Sequence, residues 1–513
     1  MLSQVISASL IGMKAYPVTV ETDLSAGLPA FSIVGLPDTA IQESRERVRS
    51  AIANSEYEFP MKRITVNLAP ADIRKEGPSF DLPISIGILS ALNVLPKDKL
   101  DAYLIVGELA LDGGLRKING ILSMAMCAKR AKKKGIIVPK INAKEAALID
   151  GIESIGVENL RQAVQFLQGK EEISPAKVEF SSFIQEGGNN DDDFSEVRGQ
   201  EHVKRALEIA AAGGHNILMV GPPGSGKTML ARRFVDVLPE MAVEEAIEVT
   251  NIYSVAGLLP SDRPLITKRP FRSPHHTISS VGLVGGGHLS PKPGEISLSH
   301  NGVLFLDEFL EFSKSSLEVL RQPMEDGKVV ISRSLVSVEY PAKFTLVAAM
   351  NPCPCGYLGD TVKECVCPPH RITQYQSKLS GPLLDRLDIH IEVPRLSKRE
   401  LLSKHVSESS DNIRQRVKKS RGRQIERLST ACPGIYSNSQ MKQRQIKKFC
   451  ATNDAGQRFI ETAIDRLGLS ARAYDRILKL SRTIADLDGA PDLLGVEHIA
   501  EAIQYRTFDR KLG

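Results

Sequence analysis

Eight consecutive residues carry the clearest chemistry in this sequence: Gly221, Pro222, Pro223, Gly224, Ser225, Gly226, Lys227 and Thr228. They fit G-x-x-x-x-G-K-[ST] at each fixed position. Glycines at these places let backbone N–H groups turn inward around phosphate oxygens, and a following helix adds partial positive charge. Lys227 would reach the β- and γ-phosphates of a nucleotide, and the Thr228 hydroxyl would hold Mg2+. A Gly/Pro turn can meet the pattern by chance. Here an apolar strand-like run, Asn216 to Val220, precedes it and a helical pattern, MLARRFVDVL, follows it. That context is what a phosphate-binding loop requires.

Further along, the apolar run VLFLDE ends in Asp307 and Glu308. Carboxylates at the end of a buried strand beside a phosphate loop can complete a magnesium shell or activate water. If both residues continue the strand, their side chains point to opposite sides and cannot share a role. Asp307 is therefore assigned to magnesium and Glu308 to the general base. Asn351 closes the next apolar run, FTLVAAM. Its amide either orients the attacking water or opens an Asx-type turn before Pro352. Arg386, in SGPLLDRLDIHIEV, and Arg472, in LSARAYDR, could each stabilise transition-state charge, often across a subunit boundary. On position alone each reads first as a surface or ion-pair arginine.

Four of the seven cysteines, Cys353, Cys355, Cys365 and Cys367, fall within one short stretch after Asn351. A structural zinc clip, uncoordinated thiols and a redox pair all suit them. Four soft thiolates in a reducing cell favour tetrahedral zinc, although C-x-C departs from the usual C-x2–4-C spacing. His275 and His276 also invite a metal reading, but an isolated His-His pair is more often structural.

These groups need elements to hold them. A chain of 513 residues is too long for one hydrophobic core and divides into several domains. A net charge of +5 permits nucleic-acid binding without arguing for it. The longest weakly polar run, Leu82 to Pro96, is too short and broken to span a bilayer. The N-terminus has no basic start before Lys14, and the cysteines form no evident disulfide framework. A cytoplasmic protein is expected. Small and acidic residues between Ile184 and Glu196 read as a linker, giving an expected division into 1–170, a linker at 171–196, 197–394 and 395–513. After the linker, Gly199 to Gly214 reads as a helix with Val203, Ala206, Leu207 and Ala210 on one face and Glu201–Arg205 and Lys204–Glu208 as i,i+4 pairs. The short apolar runs suit buried parallel strands. From about Ser397 the pattern becomes helical.

Taken together, GPPGSGKTMLARR, RPFRSPHHTIS, PGEISLSHNGVLFLDE, NPCPCG, SGPLLDRLDIH and LSARAYDRILK resemble AAA+ ATPases of the magnesium-chelatase-like group, and most closely the ComM/YifB-type family. The resemblance extends over essentially the whole chain. It implies an α/β fold with a central P-loop AAA+ parallel sheet and a C-terminal helical lid. In that setting Asn351 would be the sensor-1 residue, Arg386 the arginine finger given to a neighbour, and Arg472 the sensor-2 arginine that touches nucleotide. Sites shared between subunits imply a ring, expected to be a hexamer. The stretch from about Asn251 to His300 looks like an insertion with a substrate-facing loop, and Ser279 to Gly294 is glycine-rich enough to move.

The N-terminal region is similar to the Lon-type peptidase domain, a ribosomal S5 domain 2-like α+β fold. Ser79 matches the family's serine, but the lysine position falls at Leu122, so no dyad is expected. Lys117 lies close by in sequence. The family implies a DNA helicase that drives branch migration during uptake of single-stranded DNA. Eleven Lys/Arg against one acidic residue, Glu426, between Asn412 and Cys450 give a candidate phosphate-binding surface, or else a solvated helical face. The competing readings are a chelatase motor, whose subunits are expected to resemble only the central and C-terminal parts, and a protein remodeller.

Overall fold

The computed structural model describes residues 1–178, 193–287, 291–333, 337–397, 400, 407–429, 435–467, 470–489 and 493–506. The expected linker therefore falls largely outside the described residues.

The N-terminal part begins with a long hairpin of β1 (Leu2–Ile11) and β2 (Lys14–Ser25), paired antiparallel with Val5 opposite Val20. β3 (Ala30–Val34) runs parallel to β4 (Arg63–Ala69), and the sheet order is β1-β2-β4-β3. Val18, Val20, Leu24, Ile64, Val66 and Leu68 alternate along β2 and β4 and are all buried, as a sheet with one covered face demands. What covers it includes the helix Asp81–Ala91, every residue of which is buried. The weakly polar run noted in the sequence is thus a core helix. A second parallel sheet, β5 (Tyr103–Ile105), β6 (Gly135–Pro139) and β7 (Glu153–Val157), lies beside it.

The central sheet is wholly parallel. β8 (Ile217–Val220), β9 (Phe271–Arg272), β10 (Val303–Leu306), β11 (Thr345–Met350) and β12 (Ile389–Glu392) are ordered β9-β10-β11-β8-β12. Their continuous apolar runs follow from burial on both faces. Ile217, Met219, Phe305, Val347 and Ile389 join one core, whereas Leu218, Val220, Leu304, Leu306, Leu346 and Ala348 join another. β10 ends at Leu306 rather than continuing through the acidic pair.

The C-terminal region is helical as expected, with helices Ser410–Ser429, Gln443–Phe449, Asp454–Leu467, Ala471–Leu487 and Val496–Gln504. These pack into the same core as one face of the central sheet. The run from Lys398 to Val406 lies largely outside the described residues. Helix Glu201–Gly213 forms with its expected apolar face and ends at Gly214 in a left-handed conformation. Its expected i,i+4 pairs do not form. Lys204 bonds Glu201 instead, while Arg205 reaches Glu208, Asp488 and Glu501, because tertiary partners outcompete weak helix-surface pairs. The described part of the Ser279–Gly294 stretch, which leaves out 288–290, is also more structured than its glycines suggested. Ser279 caps a short helix, Ser280–Val284, and Gly285–Gly286 pairs with Lys292–Pro293.

The N-terminal part docks on the central part through helix Val243–Ala256. Ser123 Oγ donates to Asn251 Oδ1 at 2.8 Å, and Gly120 N–H donates to Ser254 Oγ at 2.9 Å. Lys117 Nζ donates to Leu259 O at 2.6 Å and Ser261 Oγ at 3.2 Å. Lys117 is therefore occupied by this interface, and Leu122 is fully buried.

Candidate nucleotide site

The phosphate loop leaves the end of β8 and enters helix Lys227–Phe234. Gly224 and Gly226 have φ of +76° and +90°, which L side chains avoid. Gly221 leaves no room either, since a Cβ there would lie 2.1 Å from Val393 O. Lys227 Nζ folds back over the loop. It donates to Gly221 O at 2.7 Å, Pro222 O at 2.9 Å and Asn351 Oδ1 at 3.4 Å. Burial pulls its ammonium below the ordinary lysine value, against the opposing pull of Asp307 and Glu308. An anion arriving in the loop would relieve that penalty. Gln200, a residue with φ of +56°, braces the loop by donating to Ser225 O at 2.9 Å and Pro394 O at 3.2 Å.

Thr228 Oγ1 donates to Asp307 Oδ2 at 2.6 Å. A hydroxyl and a carboxylate so placed form a hard-oxygen donor set that fits Mg2+. Glu308 sits at φ +50° just after the strand, and its N–H donates to Asp307 Oδ1 at 2.9 Å. The two carboxylates are thus separated by a left-handed turn and not by strand alternation. The Glu308 side chain is more than half exposed, and its carboxylate lies 3.1 Å from His276 Nδ1. The His275 and His276 rings lie against each other, tilted by 34° with centroids 4.1 Å apart, and His276 meets Phe312 edge-on. Among the described residues these histidines belong to no metal-ligating group. The sequence carried no signal for the His276–Glu308 contact, because the partners come from separate elements.

Asn351 arrives from the end of β11, which lies between β10 and β8, and so reaches Lys227. Arg386 lies elsewhere. It precedes β12, donates to Pro382 O at 2.5 Å, pairs with Glu325 and is buried. Asn216, immediately before β8, donates from Nδ2 to Arg386 O at 3.1 Å. Arg386 and the loop therefore occupy opposite ends of a strand about 13 Å long. Arg472 is exposed near the start of its helix. One turn along the same face, Arg476 pairs with Asp388, which sits at the entry of β12. Burial alone would raise the Asp388 carboxyl, but Arg476 and His215 hold it well below the usual carboxylate range. The structure thus places Arg472 toward the Arg386 end and does not bring it to this chain's own loop.

The four thiols do converge. Sγ atoms of Cys353, Cys355, Cys365 and Cys367 all lie within 4.8 Å of one another. Cys353–Cys355 is 3.4 Å, and Cys365 lies 3.6 Å from each. Four thiolates around zinc at about 2.3 Å would stand about 3.8 Å apart, so the set fits a tetrahedral soft cation. Cys355 N–H donates to Cys367 Sγ at 3.3 Å. Burial raises the Cys355 thiol, but N–H groups of Tyr357 and Val366 outweigh it and bring it to about 6, while Cys353, Cys365 and Cys367 are pushed up, as thiols crowded together lose their protons unequally.

The basic stretch is largely spent on the fold. Arg414 donates to Asp236 O, Arg421 to Ala211 O and Arg423 to Asp486 O. Arg416 pairs with Glu208 and Glu408, Lys418 with Glu240, and Arg427 with Asp486. Lys419, Lys442, Arg444, Lys447 and Lys448 stay exposed. The continuous phosphate surface expected from composition is thus reduced to a smaller cluster about helix Gln443–Phe449.

The chain matches three family models: "Magnesium chelatase, subunit ChlI" over residues 193–401, "Subunit ChlI of Mg-chelatase" over 20–142, and "Magnesium chelatase, subunit ChlI C-terminal" over 407–506. It is 45% identical to "Competence protein ComM" of Haemophilus influenzae, across 100% of this chain and 98% of that protein. Identity to "Uncharacterized protein YifB" of Escherichia coli is also 45%, with the same coverage. The "Magnesium-chelatase 38 kDa subunit" of Rhodobacter capsulatus is 26% identical over 31% of this chain and 50% of its own length. The match over 20–142 bears on the expectation that chelatase subunits resemble only the later parts, since that model too carries the chelatase description.

Proposed function

The chain belongs to the family of ComM and YifB within the magnesium-chelatase-like proteins, and on that premise we propose a ring-forming AAA+ ATPase that couples ATP hydrolysis to DNA remodelling. One observation carries the ATPase reading: Lys227 is folded onto the loop carbonyls and Asn351, next to a Thr228–Asp307 pair suited to Mg2+. The strand order, with the loop strand between β11 and β12, supports the AAA+ layout. The β1–β4 sheet over a buried helix supports the Lon-like reading of the N-terminal part, with Lys117 held elsewhere and no dyad for Ser79.

In this reading the Gly221–Thr228 loop receives the triphosphate, and Thr228 and Asp307 would hold Mg2+, which when bound would supply neutralisation of phosphate charge. Glu308 takes the proton of the attacking water once its carboxylate leaves His276. Asn351 orients that water or the γ-phosphate. Arg386 and Arg472 act on a neighbour's nucleotide, since both lie at the far end of the sheet from their own loop. That arrangement needs a closed ring, and six subunits are the expected number. The four cysteines hold structural zinc.

DNA as substrate, with branch migration in natural transformation, is supported by the full-length likeness to a competence protein and by the exposed Lys442–Lys448 cluster. No helix among the described residues is long and apolar enough to cross a membrane. The test is the ATP turnover rate with and without single-stranded and branched DNA. Stimulation by either is expected. If neither changes turnover or binds at low salt, the DNA reading falls, and stimulation by a porphyrin-bearing partner would favour the chelatase motor.

A further inference from the structure

The cysteine segment touches the phosphate loop directly. Gly356 lies between the second and third thiols, is buried, and has φ of +85°. A Cβ placed on it would lie 2.6 Å from Cδ and 2.8 Å from Cγ of Pro223, in the middle of the loop. Nothing larger than glycine fits without moving one partner. The turn holding Gly356 is closed by its N–H donating to Cys353 O at 2.9 Å. Other ties run to the frame around the loop. Gln376 Nε2 donates to Pro352 O at 3.0 Å, directly after Asn351. Asp360, almost wholly buried, pairs with Arg395 at 3.2 Å. Arg395 follows Pro394, whose carbonyl shares the Gln200 amide with Ser225 of the loop.

The segment itself has little else to hold it together. It contains no helix or strand between Met350 and Pro369, and Leu358, Val362 and Val366 are exposed. With no apolar core of its own, its shape depends on whatever gathers the four sulfurs.

We infer that the four-thiolate cluster, once it holds a soft divalent cation, is a positioning device for the phosphate loop, acting through Gly356 against Pro223. The bound cation fixes the Cys353–Cys355 turn, the turn seats Pro223, and Pro223 sets the loop in its phosphate-receiving shape. Releasing the cation loosens that seat and weakens nucleotide binding, although none of the four cysteines belongs to the phosphate loop. Gly356 is a positioning residue, not a catalytic one. This rests on the readings that the loop binds nucleotide and that the cluster takes zinc.

The full-length protein is prepared as purified, stripped of metal with a chelator, and refilled with zinc. Zinc is counted by elemental analysis and ADP affinity is measured by calorimetry. Stripping should weaken ADP binding about tenfold or more, the scale of a small misplacement at a binding site, and zinc should restore it. Gly356→Ala should keep its zinc yet bind ADP correspondingly weakly. Adding Pro223→Ala to it should recover part of the loss by removing the ring that the new methyl meets. Unchanged ADP affinity in the stripped protein overturns the inference, as does a zinc-loaded Gly356→Ala chain that binds ADP like the parent. A parent chain that binds no ADP would instead remove the nucleotide reading, and one that binds ADP but never takes up zinc would remove the metal reading.

Discussion

Glu308 is the residue on which hydrolysis should turn, and in this structure its carboxylate is engaged by His276 at 3.1 Å. Glu308→Gln keeps the shape but cannot accept a proton. It should bind ATP normally while turnover falls about 10²- to 10⁴-fold, read as single-turnover kinetics beside nucleotide affinity. His276→Ala should release Glu308 and raise the DNA-free rate, with kcat changing more than KM. A rate that falls as far as in Glu308→Gln would show His276 aligning the base, not restraining it. Residue types and spacing singled out Lys227, Thr228, Asp307 and Glu308, and the family resemblance added a role for Asn351; the fold gathers Lys227 with Asn351 and Thr228 with Asp307 because each sits at a strand end or loop that its own local pattern defines. His276 and Gly356 were out of reach, since their importance lies in contacts with Glu308 and Pro223 from other elements.

Helix Ser410–Ser429 illustrates how composition misleads at the scale of an element. Its arginines read as a surface for phosphates, yet several turn inward to satisfy carboxylates and helix-end carbonyls. Asp486 is almost fully buried, and Arg427, Arg482 and Asn438 all converge on it. Arg427→Ala should therefore cost about 2–4 kcal/mol in stability, measured by denaturant unfolding, with little change in DNA affinity. Lys447→Ala with Lys448→Ala should do the reverse, lowering DNA affinity and its salt dependence while leaving unfolding unchanged. β12 carries a further consequence. Burial and nearby Arg506 push the His390 imidazole down to about 3. The unfolded chain takes a proton near the ordinary value of about 6.5, which the folded chain refuses. Stability is full above that pH and falls as pH drops toward 3, by about 1.4 kcal/mol per unit from this group alone. His390→Gln should flatten this loss between pH 6.5 and 5 in unfolding titrations.

For the whole molecule, the decisive feature is polarity across the central sheet. The phosphate loop leaves one end of β8, while Arg386 and the Arg476–Asp388 pair gather at the other. A single chain cannot bring both ends to one nucleotide. Arg386→Ala and Lys227→Ala should each be inactive alone, but mixed in equal amounts they should regain turnover, because some interfaces combine an intact loop with an intact arginine. An absence of recovery at every mixing ratio would remove Arg386 from a role in trans. In the free chain Arg386 is buried against Glu325, so its use requires that pair to open or shift at a subunit contact.

By itself the sequence determined the phosphate loop, the acidic strand end, the parallel α/β class and the helical C-terminal region. Each depends on interactions within a few residues: the backbone freedom of glycine, the run length of apolar side chains, the 3.6-residue period. The expected divergence of the two acidic side chains also held a local clue, but a left-handed turn at Glu308 stands where strand alternation was expected. Only the tertiary structure decided which charges are free. Whether an arginine meets solvent, a carbonyl or a buried aspartate depends on what packs against it from hundreds of residues away, as Arg421 with Ala211 and Arg205 with Glu501 illustrate. The same holds for the cysteines. Their spacing named a possible metal site, but their convergence within 4.8 Å and the seating of Gly356 against Pro223 arise from the folding of the segment onto the nucleotide loop.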